Sequence, residues 1–210
     1  MPKDINQTLH ELIRPLPKAK YEVSVGVGSL QRTLEAFDRD YGLELNPDFQ
    51  RGHVWTQTQQ TRYVESLLRG AIATTGLTIQ FNHPAWDSID VQSDDPAMPH
   101  RLQCVDGLQR LTAVLAFMNR QIKAFGMTVD DLVGTDFDVG RMNYRIFIAV
   151  HAFTTRKELL RYYLDINDGG TPHTQAEIDR VKQLLQDCES KSLENEPSSR
   201  NNWSAPAPRF

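Results

Sequence analysis

The sequence predicts an α/β (α+β) fold, and three observations carry that prediction. Arg101 to Met118 reads as a short apolar strand, a turn at Gly107 and an amphipathic helix. Asn143 to Val150 is a continuous apolar run with Ile146, Phe147, Ile148 and Val150, the pattern of a strand buried on both faces. Thr155 with Glu158, and Thr174 with Glu177, show the Ser/Thr-x-x-Glu spacing that opens helices.

In order, residues 1–20 are polar with prolines at 2, 15 and 17 and read as an N-terminal arm or short helix. Tyr21 to Val27 alternates apolar with small or polar residues, as a half-buried strand does. Ser29 is placed to cap a helix reaching Tyr41, with Leu30, Leu34 and Phe37 on one face. Leu43 to Leu45 is a short strand. Asn46 to Trp55 is a loop broken by Pro47 and Gly52, and Phe49, Val54 and Trp55 should fold it back onto the core. That would hold Gln50 and Arg51 on ordered backbone, whether for a ligand or, in Arg51's case, for a structural ion pair. A helix from Gln57 to Leu68 buries Tyr63, Val64, Leu67 and Leu68.

Leu77 to Phe81 is a strand, and Asn82 to His100, with its prolines and aspartates, is a surface insertion or a lid. Val129 to Val133 suits a helical turn. The two capped helices reach Asp165 and Cys188, separated by a glycine pair at 169 and 170. The folded domain is thus expected over residues 21–189, with a flexible C-terminal tail over 190–210.

At 210 residues the chain suits one sizeable core. No apolar run is long enough to span a bilayer and no signal peptide opens it, so a cytoplasmic protein without membrane partners is expected. The formal charge of −4 argues against broad nucleic-acid binding but leaves room for a local basic groove. Cys104 falls in an apolar strand and suits a core thiol, and no Cys-x-x-Cys or His-Glu-x-x-His spacing supports zinc.

Residues 106–110 carry the chemistry. Asp106 stands where an N-cap belongs, and Gln109 follows at capping-box spacing. Arg110 puts a cation in the first helical turn, against the helix dipole by about 0.3–1 kcal/mol unless something negative sits beside it. Strand, glycine turn, helix start and arginine together fit an anion site, most naturally for phosphate. The competing reading is a capped core helix with an incidental arginine.

Three stretches in this order carry a resemblance. Pro47-x-Phe49-Gln50-Arg51-x-x-Val54-Trp55 resembles a Pro-x-Tyr/Phe-Gln-Arg motif of the GmrSD-type restriction family's N-terminal domain. Asp106-Gly107-Leu108-Gln109-Arg110-Leu111-Thr112 is similar to its Asp-Gly-Gln-Gln-Arg-Leu-Thr signature, and Asn167 to Pro172 to its later Asn-x-x-Gly element. The resemblance spans residues 20–187. It implies a ParB/sulfiredoxin-like fold, a small mixed sheet flanked by helices, that binds a nucleoside triphosphate, with Mg²⁺ as a further cofactor.

Carried over residue by residue, the resemblance implies that Gly107 and Arg110 contact phosphate. Gln109 would orient phosphate or attacking water, and Asp106 would hold the metal or act as N-cap. Gln50 and Arg51 would complete the pocket, and Asn167 would line it. Leu108 replaces a glutamine of the signature, and Pro172 and His173 stand near a usually apolar position.

Relatives continue into a nuclease domain. No His-Asn-His arrangement or paired-carboxylate cluster occurs here, so autonomous DNA cleavage is not expected. The leading expectation is a nucleotide-binding domain, a slow NTPase, linked to DNA recognition in restriction-modification or phage defence. A second is a non-catalytic decoy or regulator that contacts DNA or a nuclease partner. A third, a ParB-like nuclease, fits the acidic net charge less well.

Overall fold

Strands and helices alternate so that one sheet is covered on both faces. The computed structural model describes residues 4–72, 74–86, 93, 95–141, 144–167 and 175–194. In chain order the elements are α1 (Ile5–Ile13), β1 (Tyr21–Gly26), α2 (Leu30–Tyr41), β2 (Leu43–Glu44) and α3 (Gln57–Leu68). There follow β3 (Thr78–Asn82), β4 (Leu102–Asp106), α4 (Leu108–Met118), β5 (Arg145–His151), α5 (Arg156–Asn167) and α6 (Gln175–Glu194). The five-stranded sheet runs β1-β5-β3-β4-β2. It is mixed: β1 with β5 and β3 with β4 are antiparallel, whereas β5 with β3 and β2 with β4 are parallel. The α/β class is therefore correct.

Strand alternation divides the core. Leu102 and Cys104 of β4 face a cluster with Leu30 and Leu34 of α2, Val64 and Leu67 of α3, and Leu111 and Val114 of α4. Val105, the next residue, faces the other cluster, which contains Phe49, Leu159, Leu160, Tyr163 and Val181. The β4–α4 turn thus emerges between two helical layers. Phe49 is 1% exposed and meets Tyr163 edge-on at 5.3 Å, which anchors the loop before α3.

Several elements differ from expectation in detail. Ser29 precedes α2 but makes no side-chain cap; its carbonyl accepts from the Thr33 hydroxyl instead. Val54, expected to pack inward, is 47% exposed, whereas its neighbour Trp55 turns in against Tyr63. Of the two readings of residues 1–20, arm or short helix, the structure has the helix, α1. Helix α6 continues to Glu194, past the expected helix end at Cys188. The described flanks of the 82–100 excursion are packed: Met98 is buried, and Asp95 accepts from the Arg156 N–H at 2.8 Å. Residues 168–174, holding the glycine pair and Thr174, and residues 195–210 lie outside the described residues.

Candidate functional site

A cavity of about 240 Å³ opens at the C-terminal end of β4. Its lining includes every site residue expected from the sequence: Gln50, Arg51, Asp106, Gly107, Gln109, Arg110 and Asn167. Trp55, Val105, Leu108, Tyr163 and Ile166 complete the wall. What these residues do there differs from one to the next.

Gly107 is the N-cap of α4, with φ 97° and no side-chain cap on the first turn. A Cβ at this position would stand 2.7 Å from Ile79 Cδ1 and 3.1 Å from Ile79 Cα, so both the conformation and the packing require glycine. Asp106 therefore stays in β4 and is not the N-cap. Its carboxylate forms an ion pair with Arg110 Nη2, one helical turn on. That pair supplies the negative charge that a cation in the first turn of a helix calls for. Arg110 Nη2 also donates to the Thr78 carbonyl at 3.1 Å, while its Nε is buried without a partner among the described residues.

Gln109 does not form a capping box either. Its Oε1 accepts from the Val54 N–H at 3.0 Å and the Trp55 N–H at 3.1 Å, and its Nε2 donates to the Gly52 carbonyl at 2.6 Å. His53 Nδ1 lies 2.9 Å from the same Oε1. The amide thus fastens the Arg51 loop to α4 through its oxygen and one of its two N–H donors. Gln50 does similar work from the loop side. Its Nε2 donates to the Cys104 and Val105 carbonyls at 3.0 and 2.8 Å, beside the strand end.

Helix α6 braces the Arg51 loop from behind the lining. Arg180 Nη2 donates to the Gln50 carbonyl at 2.5 Å, and Glu177 lies 3.5 Å from Arg51 Nη1. Asn167 ends α5, and its Nδ2 donates to the Tyr163 carbonyl at 2.7 Å. Burial pushes the Tyr163 phenol up to about 12, against the pull of the nearby Arg51 charge. Burial likewise raises the Cys104 thiol well above its usual range, which suits the expected core role.

Sequence reasoning gathered the cavity's cations but missed what holds them. In the sequence Glu177 reads only as a capping residue, and Arg180 stands in no motif. Trp55 lay within a motif without being assigned to the wall. Among the described residues, no group of three or more His, Cys, Asp or Glu side chains is placed to hold a metal ion.

A sequence model of the GmrSD restriction endonuclease N-terminal domain matches residues 33–185, most of the chain and all of the cavity's lining. The chain belongs to that family. Nothing among curated proteins or solved structures matches it. GmrSD membership sets the protein in a restriction and phage-defence context and links it to DNA. No helix among the described residues is long and apolar enough to cross a membrane. In this GmrSD domain, Leu108 is 5% exposed and gives the cavity an apolar wall where the signature carries glutamine.

Proposed function

We propose that the cavity binds the phosphate end of a nucleoside triphosphate, as part of a restriction or anti-phage system that acts on DNA. The observation that carries this reading is the convergence of Arg51 and Arg110 on one cavity, beside a glycine-opened helix start with no side-chain cap. Each arginine has a carboxylate partner, Glu177 and Asp106 respectively, and a bound phosphate would take the place of one or both. Arg110 Nε is a buried donor with no partner among the described residues, which a ligand oxygen would satisfy. A volume of about 240 Å³ falls below the range of about 300–1,000 Å³ usual for whole-ligand pockets, so the base would lie towards the rim.

Mg²⁺ would be held by one carboxylate, Asp106, together with the triphosphate and water, because this ion commonly keeps few protein ligands. Bound there, it would neutralise charge on the phosphates. Arg51 and Arg110 would orient the phosphates, and the Leu108, Trp55 and Tyr163 side chains would limit water at the site.

Binding without rapid turnover is the reading favoured over an efficient triphosphatase. Gln109, the group expected to orient water, has both ends of its amide committed to the 52–55 loop. The domain then acts as a nucleotide-dependent sensor or regulator, and hydrolysis is slow.

A thermal-shift screen of nucleoside triphosphates, with and without Mg²⁺, tests the reading. Ligand at a hundred times its Kd stabilises by about 2.7 kcal/mol. That shift should vanish in Arg110→Ala and shrink in Arg51→Ala. No shift with any triphosphate would return both arginines to purely structural pairing, and fast phosphate release would overturn the assignment of Gln109.

A further inference from the structure

A cleft of about 410 Å³ lies at the start of β4, the opposite end of that strand from Asp106. It shares no lining residue with the Arg51–Arg110 cavity. Glu44, Asp48, Arg101, Gln103 and Arg156 supply its polar groups. Its volume falls in the range of about 300–1,000 Å³ usual for small-ligand sites.

Gln103 is the decisive residue. It is 2% exposed and stands between Glu44 of β2 and Asn82 of β3 in one row across the sheet. Its Nε2 donates to Glu44 Oε2 at 2.8 Å, and because a carboxylate only accepts, this bond sets which way the amide points. Its Oε1 is then buried with no partner among the described residues. Asn82 does not serve it, since its Oδ1 accepts from the Phe153 N–H at 2.7 Å and its Nδ2 donates to the Phe153 carbonyl at 3.3 Å. Folded proteins seldom leave a buried acceptor unpaired, and one on a residue that lines a cleft invites a donor from a ligand.

The charges in the cleft narrow the choice of ligand. Asp48 and Arg156 satisfy each other, with Arg156 Nη2 at 2.6 and 2.5 Å from the two carboxylate oxygens. Glu44 and Arg101 remain, and neither has an ion-pair partner among the described residues. A purely cationic ligand would face Arg101, and a purely anionic one would face Glu44; like charges so placed repel. A ligand carrying both charges answers both side chains. The rest of the wall is hydrocarbon, from Pro96, Ala97 and Pro99. It is fixed in place: the Asp95 carboxylate accepts from the Ala97 N–H at 2.9 Å and the Arg156 N–H at 2.8 Å, and Met98 is buried in the core.

We propose that this cleft binds a free α-amino acid with an apolar side chain. The ligand ammonium donates to Gln103 Oε1 and to the Glu44 carboxylate, and the ligand carboxylate accepts from the Arg101 guanidinium. The apolar side chain lies against Pro96, Ala97 and Pro99. Both charged ends are thus matched, and the buried acceptor gains the donor it lacks.

Saturation-transfer NMR and calorimetry on the full chain test this with three probes. They are L-leucine, 3-methylbutylamine, which lacks the carboxylate, and 4-methylpentanoate, which lacks the ammonium. Leucine should bind, and each truncated probe should bind more weakly by about tenfold or more, the worth of a hydrogen bond to a charged group. Arg101→Ala, at an exposed side chain, should weaken leucine to the level of 3-methylbutylamine and leave the amine unchanged. Gln103→Leu should weaken leucine and the amine together. Should that core variant fail to fold, Glu44→Gln, which keeps an acceptor for Gln103 Nε2, should have the same effect. No binding of leucine, valine or methionine at millimolar concentration overturns the proposal. So does leucine binding that neither Arg101→Ala nor Glu44→Gln alters, which would place it elsewhere. 3-Methylbutylamine bound as tightly as leucine also overturns it, in favour of a simple cation site.

Discussion

The two sides of the cavity are built on different principles. On one side, Asp106, Gly107 and Arg110 lie within one turn of each other at a strand end and a helix start, where the backbone ladder fixes their positions. On the other, Arg51 sits in an irregular loop held by polar clamps to distant elements: Gln50 to β4, Gln109 from α4 and Arg180 from α6. The near side is rigid by construction. The far side is as rigid as three side chains make it, so the two should respond differently to substitution.

The largest effect should come from Gly107→Ala. Strain at φ 97° together with the contact on Ile79 is expected to destabilise the fold by roughly 2–4 kcal/mol, read from urea midpoints. Gln109→Ala comes next. It leaves the Val54 and Trp55 N–H groups and the Gly52 carbonyl to find other partners, at about 0.5–1.5 kcal/mol for each bond. Its particular mark should be increased hydrogen exchange over 51–55 with β4 and α4 still protected. Equal loosening on both sides would erase the distinction drawn here.

Acid provides a control at a distance from the cavity. Burial, and then the neighbouring His100, lowers His83 from 6.5 to about 4, and burial also lowers His151. A folded-state value below the unfolded one means that stability is full above about pH 6.5 and is lost as pH falls towards 4. At about 1.4 kcal/mol per pKa unit, His83 contributes a loss of roughly 2–3 kcal/mol across that window. Wild type and Gln109→Ala should lose the same amount, and His83→Gln should flatten the profile.

The contrast between the two sides also explains what could be read from sequence. The bounds of α3, Gln57 to Leu68, were legible because apolar spacing and helix stops are local. So was the strand–glycine–helix order at 101–118. The role of Gln109 was not. Its spacing from Asp106 imitates a capping box, yet Gly107 takes the N-cap position and the amide bonds to a loop more than fifty residues away. Nothing local distinguishes a glutamine that caps from one that clamps. Arg180 was harder still: an arginine on a polar helix shows no sign that it will reach the Gln50 carbonyl. The family signature drew attention to the right residues, but the work each one does became visible only with the partners in place.

The smallest effect tests the far side most directly. Glu177 faces Arg51 at 3.5 Å, with 24% and 16% of the two side chains exposed. If Arg51 grips phosphate, Glu177 competes with the ligand for the same cation, and Glu177→Gln should tighten triphosphate binding. Part-exposed ion pairs contribute about 0.2–1 kcal/mol, so the gain should be about 1.4- to 5-fold in Kd, and it should shrink as salt is added. Titration calorimetry resolves a change of that size. If the pair instead serves only to hold α6 over the loop, the same variant weakens binding and lowers the melting temperature. The sign of the change, more than its size, decides whether Arg51 belongs to the ligand or to the scaffold.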